Sequence, residues 1–311
     1  MVKSMFSGVS GLRSHQQKMD VIANNISNVN TWGYKAATYS FKDAVYQTIN
    51  ASTGGDGETG GMGGTNASQL GYGTATGSVT TSFTSGAMAT SDSPLDCMID
   101  GTGFFIVGPM NSAQIDISTG DLSASGLYLS RVGIFSTDNN GYLVDSSGYY
   151  VYGAQSGTVG SSGTEGELAD TISPICIPDY VPADGDPVGK TSYDIQSYSI
   201  SADGTLLGVD KDTNRTIVIG QIALAAVENP NGLEKTSGYY YSIGDNAGDV
   251  TGNLTNGGAL GRIKSGYLEQ ANVDLAKEFS EMITTQRGFQ ANSKIITVSD
   301  EMLEQLVNMK R

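Results

Sequence analysis

The chain has 311 residues, past the roughly 250 to 300 at which a single hydrophobic core stops growing, so at least two packed units are expected. Gly supplies 42 residues, Pro 7 and charged residues only 16%, a composition rich in tight turns and poor in rigid linkers, which favours β structure. The formal charge of −15 is spread as +3 over residues 1–47, −17 over 48–262 and −1 over 263–311, and it argues against nucleic acid and anionic membrane surfaces as partners.

The first thirty residues place Met5, Leu12, Met19 and Ile26 seven apart, with Val9, Gln16, Ala23 and Asn30 at the interleaved position, which predicts a helix with a narrow seam. His15, the single histidine, falls between Leu12 and Met19 and reads as a polar contact on or between helices; one histidine rules out a His-rich zinc site. Residues 48–70 form a Gly-rich connector, centred on TGGDGETGGMGGTN (53–66), too polar to bury a core. GGMGGT within it lacks the Lys-Ser/Thr and the preceding strand of a phosphate loop.

From 71 onward, runs such as SVTTSF (78–83), FFIV (104–107), YLSRVGIF (128–135), YYVYG (149–153) and TIVIGQIALAAV (216–227) alternate with the turn signals Asp100-Gly101, Asn140-Gly141, Asp203-Gly204 and Asn231-Gly232. Those dipeptides favour positive φ in hairpins, so 71–154 plus 196–271 reads as an antiparallel β body. Residues 155–195 open with a Gly/Ser-rich patch and hold four of the seven Pro, and read as an insertion or small outer lobe. DNNG (138–141) and DGD (184–186) invite a calcium reading, but the twelfth position from Asp138 is Tyr149 where an EF-hand needs Glu, so they read as turns. Cys97 in PLDCMID reads as a small core residue and Cys176 as a structural thiol; two Cys allow at most one disulfide.

The last forty residues repeat the helical pattern: Leu275, Met282, Phe289, Ile296 and Leu303 are seven apart, with Phe279, Gln286, Ser293, Asp300 and Val307 interleaved. The expected fold is therefore α+β and multidomain, with 1–47 plus 272–311 as a discontinuous helical coiled-coil domain around the β body. So many polar positions in the seams leave two helices marginal alone, and the apolar rows call for more partners than one chain supplies. The assembly seam expected on these grounds is Met5, Val9, Leu12, Met19, Ile26, Leu275, Phe279, Met282, Phe289, Ile296, Leu303 and Val307. No spacing singles out a catalytic, cofactor or metal site. The longest apolar stretches, FFIV and IALAAV, are far below a membrane span, and neither end has the order of a cleavable signal peptide.

The two ends carry a specific resemblance. MFSGVSGLRSHQQKMDVIANNISNVNTWGYKAATYSFKDAVYQT (5–48), with its Asn-rich NNISNVNTWGYK (24–35), resembles the amino-terminal signature of the bacterial flagellar rod and hook family. GYLEQANVDLAKEFSEMITTQRGFQANSKIITVSDEMLEQLVNM (266–309) is similar to that family's carboxyl-terminal signature. PLDCMIDGTGFFIV (94–107), the stretch 128–153, ISADGTLLG (200–208) and GQIALAAVENPNGLEK (220–235) look like its β body. The signature residues are Asn24, Asn25, Asn28, Asn30, Gly33, Asn272, Asp274, Gln286, Arg287 and Gln290. The resemblance implies a non-enzymatic subunit exported through the flagellar type III apparatus, extracellular after export, that polymerises with itself into a helical tube. It also implies rod, hook-cap and hook–filament junction proteins as partners. Within the family the phrase IGQIALAAVENPNGLEK (219–235), together with an insertion that could build an outer lobe, points to the hook, with the distal rod, whose subunits can carry an extra stretch after the first helix, as the alternative. A carboxylate-based secreted hydrolase and a secreted adhesin or binding module are the readings of other classes, and neither needs helical ends in matching heptad phase.

Overall fold

This computed structural model describes residues 2–55, 63–110, 115–116, 122, 126–156, 168–177, 180–182, 192–211, 216–254 and 260–309. The chain divides into two compact units, one made of Met1–Val29, Ala36–Ser82 and Val273–Arg311, the other of Asn30–Lys35 and Phe83–Asn272.

The first unit holds both long helices, α1 (Val2–Ser27) and α2 (Leu275–Asn308). Asp274 caps α2: its Oδ1 accepts from the amides of Ala276 at 2.9 Å and Lys277 at 3.3 Å, satisfying two donors that the first turn cannot. The helices pack antiparallel, with Asn25 opposite Glu278, Lys18 opposite Glu281, His15 opposite Gly288 and Gly11 opposite Asn292. The rows that meet are polar and small. On α1 they are Gly8, His15 and Ile22 with Gly11, Lys18 and Asn25; on α2 the row is Glu278, Thr285, Asn292 and Ser299, also seven apart. Gly earns its place at 11, where a Cβ would lie 2.8 Å from Asn292 Nδ2; without side chains at 8 and 11 the backbones come close.

Against α1 lies a hairpin of Ala37–Asp43 and Thr74–Thr81. Its Tyr39 is buried and donates its phenolic hydrogen toward Gln17 Oε1 (3.2 Å) and Thr76 Oγ1 (3.1 Å). Tyr46–Asn50 then pairs with Ser68–Gly71, and Thr53 bridges to Thr65, so the described part of the Gly-rich stretch is a β-ribbon where an extended connector was expected. Local β-formers explain the difference: Tyr46, Thr48 and Ile49 lie in a strand whose Tyr46, Gln47 and Thr48 pair with Gly71, Leu70 and Gln69 before the glycines begin. All nine residues of these two strands are exposed. Residues 56–62 lie outside the described residues.

The second unit is built on a 14-stranded sheet, counted among the described residues, in which every pairing is antiparallel. Its central strands are Phe104–Gly108, Tyr150–Ser156 and Thr216–Val227. Because side chains alternate along a strand, Phe105, Val107, Val151, Ile222 and Leu224 enter one apolar cluster, while Phe104, Ile106, Tyr152, Ala223 and Ala225 enter another. Both faces are dry, and that is why FFIV and IALAAV read as unbroken apolar runs.

Of the four turn dipeptides, Asn140-Gly141 and Asp203-Gly204 close hairpins with φ of 81° and 74° at glycine, and Gly101 has φ 124°. Asn231-Gly232 differs: it sits in a 3₁₀ turn, Pro230–Gly232, because Pro at 230 starts the turn and the Asn246 carbonyl fills the space a Cβ at 232 would need. The described parts of 155–195 continue the main sheet, since Leu168–Pro174 pairs with Tyr150–Ser156 and Tyr180–Pro182 with Ser192–Ile200. DGD (184–186) lies outside the described residues.

Candidate assembly surface

Burial separates the two units sharply. Of the 21 large apolar side chains exposed among the described residues, 18 belong to the unit that holds the helices; the other three are Met88, Met110 and Tyr267. Soluble chains rarely leave so much apolar surface concentrated in one region unless it meets a partner. The polar seam between α1 and α2 accounts for it, because the close-approach rows use glycine, serine, threonine and asparagine and leave the apolar rows turned elsewhere.

The expected seam residues are distributed accordingly. Leu275, Phe279, Phe289 and Val307 on α2 and Val9 on α1 are exposed, with Phe279 at 50% and Val307 at 67%. Met5, Leu12, Met19, Ile26, Met282, Ile296 and Leu303 are half-buried along the flanks of the helix pair. Sequence reasoning missed Phe6, Ile283, Ile295, Val298, Met302 and Leu306, which are also exposed on the helices and widen the surface beyond two heptad rows. The ribbon adds Val45, Tyr46, Ile49 and Leu70.

The signature asparagines act on the backbone. Asn25 is buried: its Nδ2 donates to the Ala37 carbonyl (2.8 Å) and to Glu278 Oε2 (3.3 Å), and its Oδ1 accepts from the Ala37 amide (3.0 Å). One side chain thus ties α1 to the start of the hairpin and to α2. Asn28 Nδ2 donates to the Asn24 carbonyl at 2.9 Å at the end of α1, and Asn30 is exposed. Asn272 Nδ2 donates to Thr84 Oγ1 at 3.0 Å, and Asp274 is the cap described above. Gln286, Arg287 and Gln290 are exposed on α2.

Gly33 has φ 64°, and its amide donates to the Glu269 carbonyl at 2.8 Å. That contact leads into a buried ion cluster in the second unit that sequence reasoning did not single out. Lys35 Nζ lies 2.7 Å from Glu269 Oε1 and donates to the Thr84 carbonyl at 2.8 Å; the Gly86 amide donates to the same carboxylate oxygen at 2.8 Å. Arg131 Nε faces Glu269 Oε2 at 3.5 Å, and its two terminal nitrogens donate to the carbonyls of Gly103 and Gly101, each at 2.7 Å. All three ionic side chains are at most 2% exposed.

Burial pushes the Lys35 ammonium below its ordinary pKa, and the Arg131 charge adds to this while Glu269 opposes it. Arg131 is likewise lowered by burial. Beside them the Tyr241 phenol is pushed up to about 12, mainly by burial and next by Tyr34. One acid serving two buried cations makes the cluster a structural tie. The signal for it was a lone arginine inside the apolar phrase YLSRVGIF, since a buried cation requires a buried acid.

Packing is tight here. A Cβ at Gly86 would overlap the Gln270 carbonyl oxygen. Gly86→Ala should therefore lower the unfolding free energy of the second unit by about 2 kcal/mol or more, as measured by urea unfolding. Stability close to that of the unsubstituted chain would show that the strand Tyr267–Glu269 can move away.

Neither thiol is activated as a nucleophile, since burial raises the pKa of both. Cys97 is fully buried, and burial with the nearby Asp96 charge pushes its pKa up; Cys176 is half-buried and also raised by burial. Both are free.

Three family profiles match the chain: the flagella basal body rod protein over residues 5–35, the flagellar hook protein FlgE/F/G D1 domain over 98–208, and the flagellar basal body rod FlgEFG protein C-terminal over 264–309. The flagellar basal-body rod protein FlgG of Bacillus subtilis (strain 168) is 39% identical over the whole of both chains. The flagellar hook protein FlgE of Borreliella burgdorferi is 29% identical, also over the whole of both, and the FlgG protein of that organism is 30% identical over the whole of both. No helix among the described residues is long and apolar enough to cross a membrane. With matching helical ends, an antiparallel β body and family likeness from one end to the other, the chain belongs to the bacterial flagellar rod and hook family, whose members are structural proteins and not enzymes.

Proposed function

We propose that this chain is the subunit of the distal flagellar rod, polymerising with itself into a stiff helical tube. The observation that carries this reading is collinearity. The Bacillus subtilis rod protein aligns over 312 positions, almost this chain's own 311 residues, whereas the Borreliella burgdorferi hook protein needs 449. The hook expectation rested on the phrase IGQIALAAVENPNGLEK (219–235) together with an outer lobe at 155–195, and the strands described in that segment, which continue the main sheet, do not support the lobe.

In this reading the exposed rows of α1 and α2, Val9, Leu275, Phe279, Phe289 and Val307 among them, pack against the helices of neighbouring copies. Head-to-tail contacts that do not close into a ring generate a helical tube. Burying each Leu-sized side chain contributes about 1.5 to 3 kcal/mol, multiplied along every protofilament. The subunit reaches its place through the flagellar type III export apparatus, with other rod proteins below it and the hook above.

Electron microscopy of basal bodies from cells lacking the chain tests the assignment. The expected result is truncated rods without hooks. Full-length rods without hooks would return the assignment to the hook.

A further inference from the structure

His15 stands in the row of α1 that faces α2, and its ring lies against Gly288: a Cβ there would sit 2.6 Å from Cε1 and 2.8 Å from Nε2. On the hairpin side the Phe41 ring is tilted by 59°, with centroids 5.3 Å apart. Nδ1 is buried and has no hydrogen-bond partner. The ring borders a groove of about 300 Å³ lined also by Ser7, Gly11, Phe41, Gly73, Thr74 and Asn292, none of them acidic.

Lys18 on α1 lies over the Phe41 ring and pairs with Glu281 of α2; Arg13 on α1, Glu278 and Arg287 on α2, and Tyr39, Lys42 and Asp43 on the hairpin are further ionisable residues of these stretches. The carboxylates already have partners. Glu281 is ion-paired with Lys18 at 3.1 Å, Glu278 accepts from Asn25, and Asp43 lies by the Tyr46 phenol and raises its pKa. A proton arriving on His15 finds a cation nearby and no free acid.

We propose that His15 is a proton-sensitive latch of the α1–α2 seam. Neutral, the ring closes against Gly288 and Phe41; protonated, it carries an uncompensated charge into that seat and loosens the helix pair. Burial first, and the Lys18 charge second, hold the folded pKa below the ordinary 6.5. The sign follows. The unfolded chain takes up the proton first as pH falls, so the stabilisation is complete above about 6.5 and is lost as pH drops toward the folded pKa. The latch belongs to the folding of the helical unit, so it holds for a rod and a hook subunit alike.

Thermal unfolding of the full chain, followed by helical circular dichroism at pH 7.5 and 5.5, tests this beside His15→Gln. The unsubstituted chain should lose on the order of 2–4 °C more than the variant on acidification. An equal loss in both would overturn the latch, since the pH dependence would then come from other groups. Should His15→Gln fail to fold, nuclear magnetic resonance titration of the single imidazole in the native chain decides the matter. A midpoint below 6.5 supports the latch, and one at or above 6.5 refutes it.

Discussion

Glu269→Leu is expected to cost the second unit about 3–5 kcal/mol of unfolding free energy, because it strands two buried cations in one step. Lys35 would keep the Thr84 carbonyl, and Arg131 the carbonyls of Gly101 and Gly103 and the face of the Phe104 ring, with no carboxylate for either. Lys35→Met should cost less than half as much, since Glu269 would still have Arg131 and the Gly86 amide. Trp32, the single tryptophan, lies in this unit and reports the transition by fluorescence in urea. Comparable losses for the two variants would mean that Glu269 does not serve both cations.

Phe279→Asp should leave the isolated chain as stable as before, because that side chain is half exposed, yet raise the concentration needed for polymerisation by roughly 100-fold. Two contributions add. The lost apolar burial is worth about 1.5–3 kcal/mol, and an unpaired carboxylate at the interface costs more. Sedimentation of polymer against total protein measures the threshold, with circular dichroism of the free chain as the control. A threshold close to that of the unsubstituted protein would remove Phe279 from the interface.

The helices were legible because a seven-residue repeat survives in the sequence whatever the helix packs against. What the repeat did not reveal is which row closes the pair within one chain. Gly8, Gly11, Thr285 and Asn292 carry no apolar signal, yet small side chains permit the closer approach. The central strands were legible as FFIV and IALAAV, where burial on both faces removes the polar alternation. The ribbon was hidden because Gly-rich composition outweighed the short β-forming phrases at its base. The Lys35–Glu269 pair spans 234 positions, and no local period encodes such a distance. Its residues nevertheless lie inside GYK and GYLE, phrases that belong to the two terminal signatures, and Arg131 was visible as a charge in an apolar run.

The two thiols differ in access, and this gives the protein a natural handle. Cys97 is sealed in the core, while Cys176 is half-buried in a bridge with Tyr142, its sulfur 3.9 Å from the Asn140 carbonyl oxygen. A maleimide dye under native conditions should therefore label one site per chain and leave Cys97 for denatured protein alone. The stoichiometry of labelling becomes a direct gauge of how much of the β body is intact, and a fluorophore at Cys176 would follow it in the free subunit and in the polymer without any engineered residue.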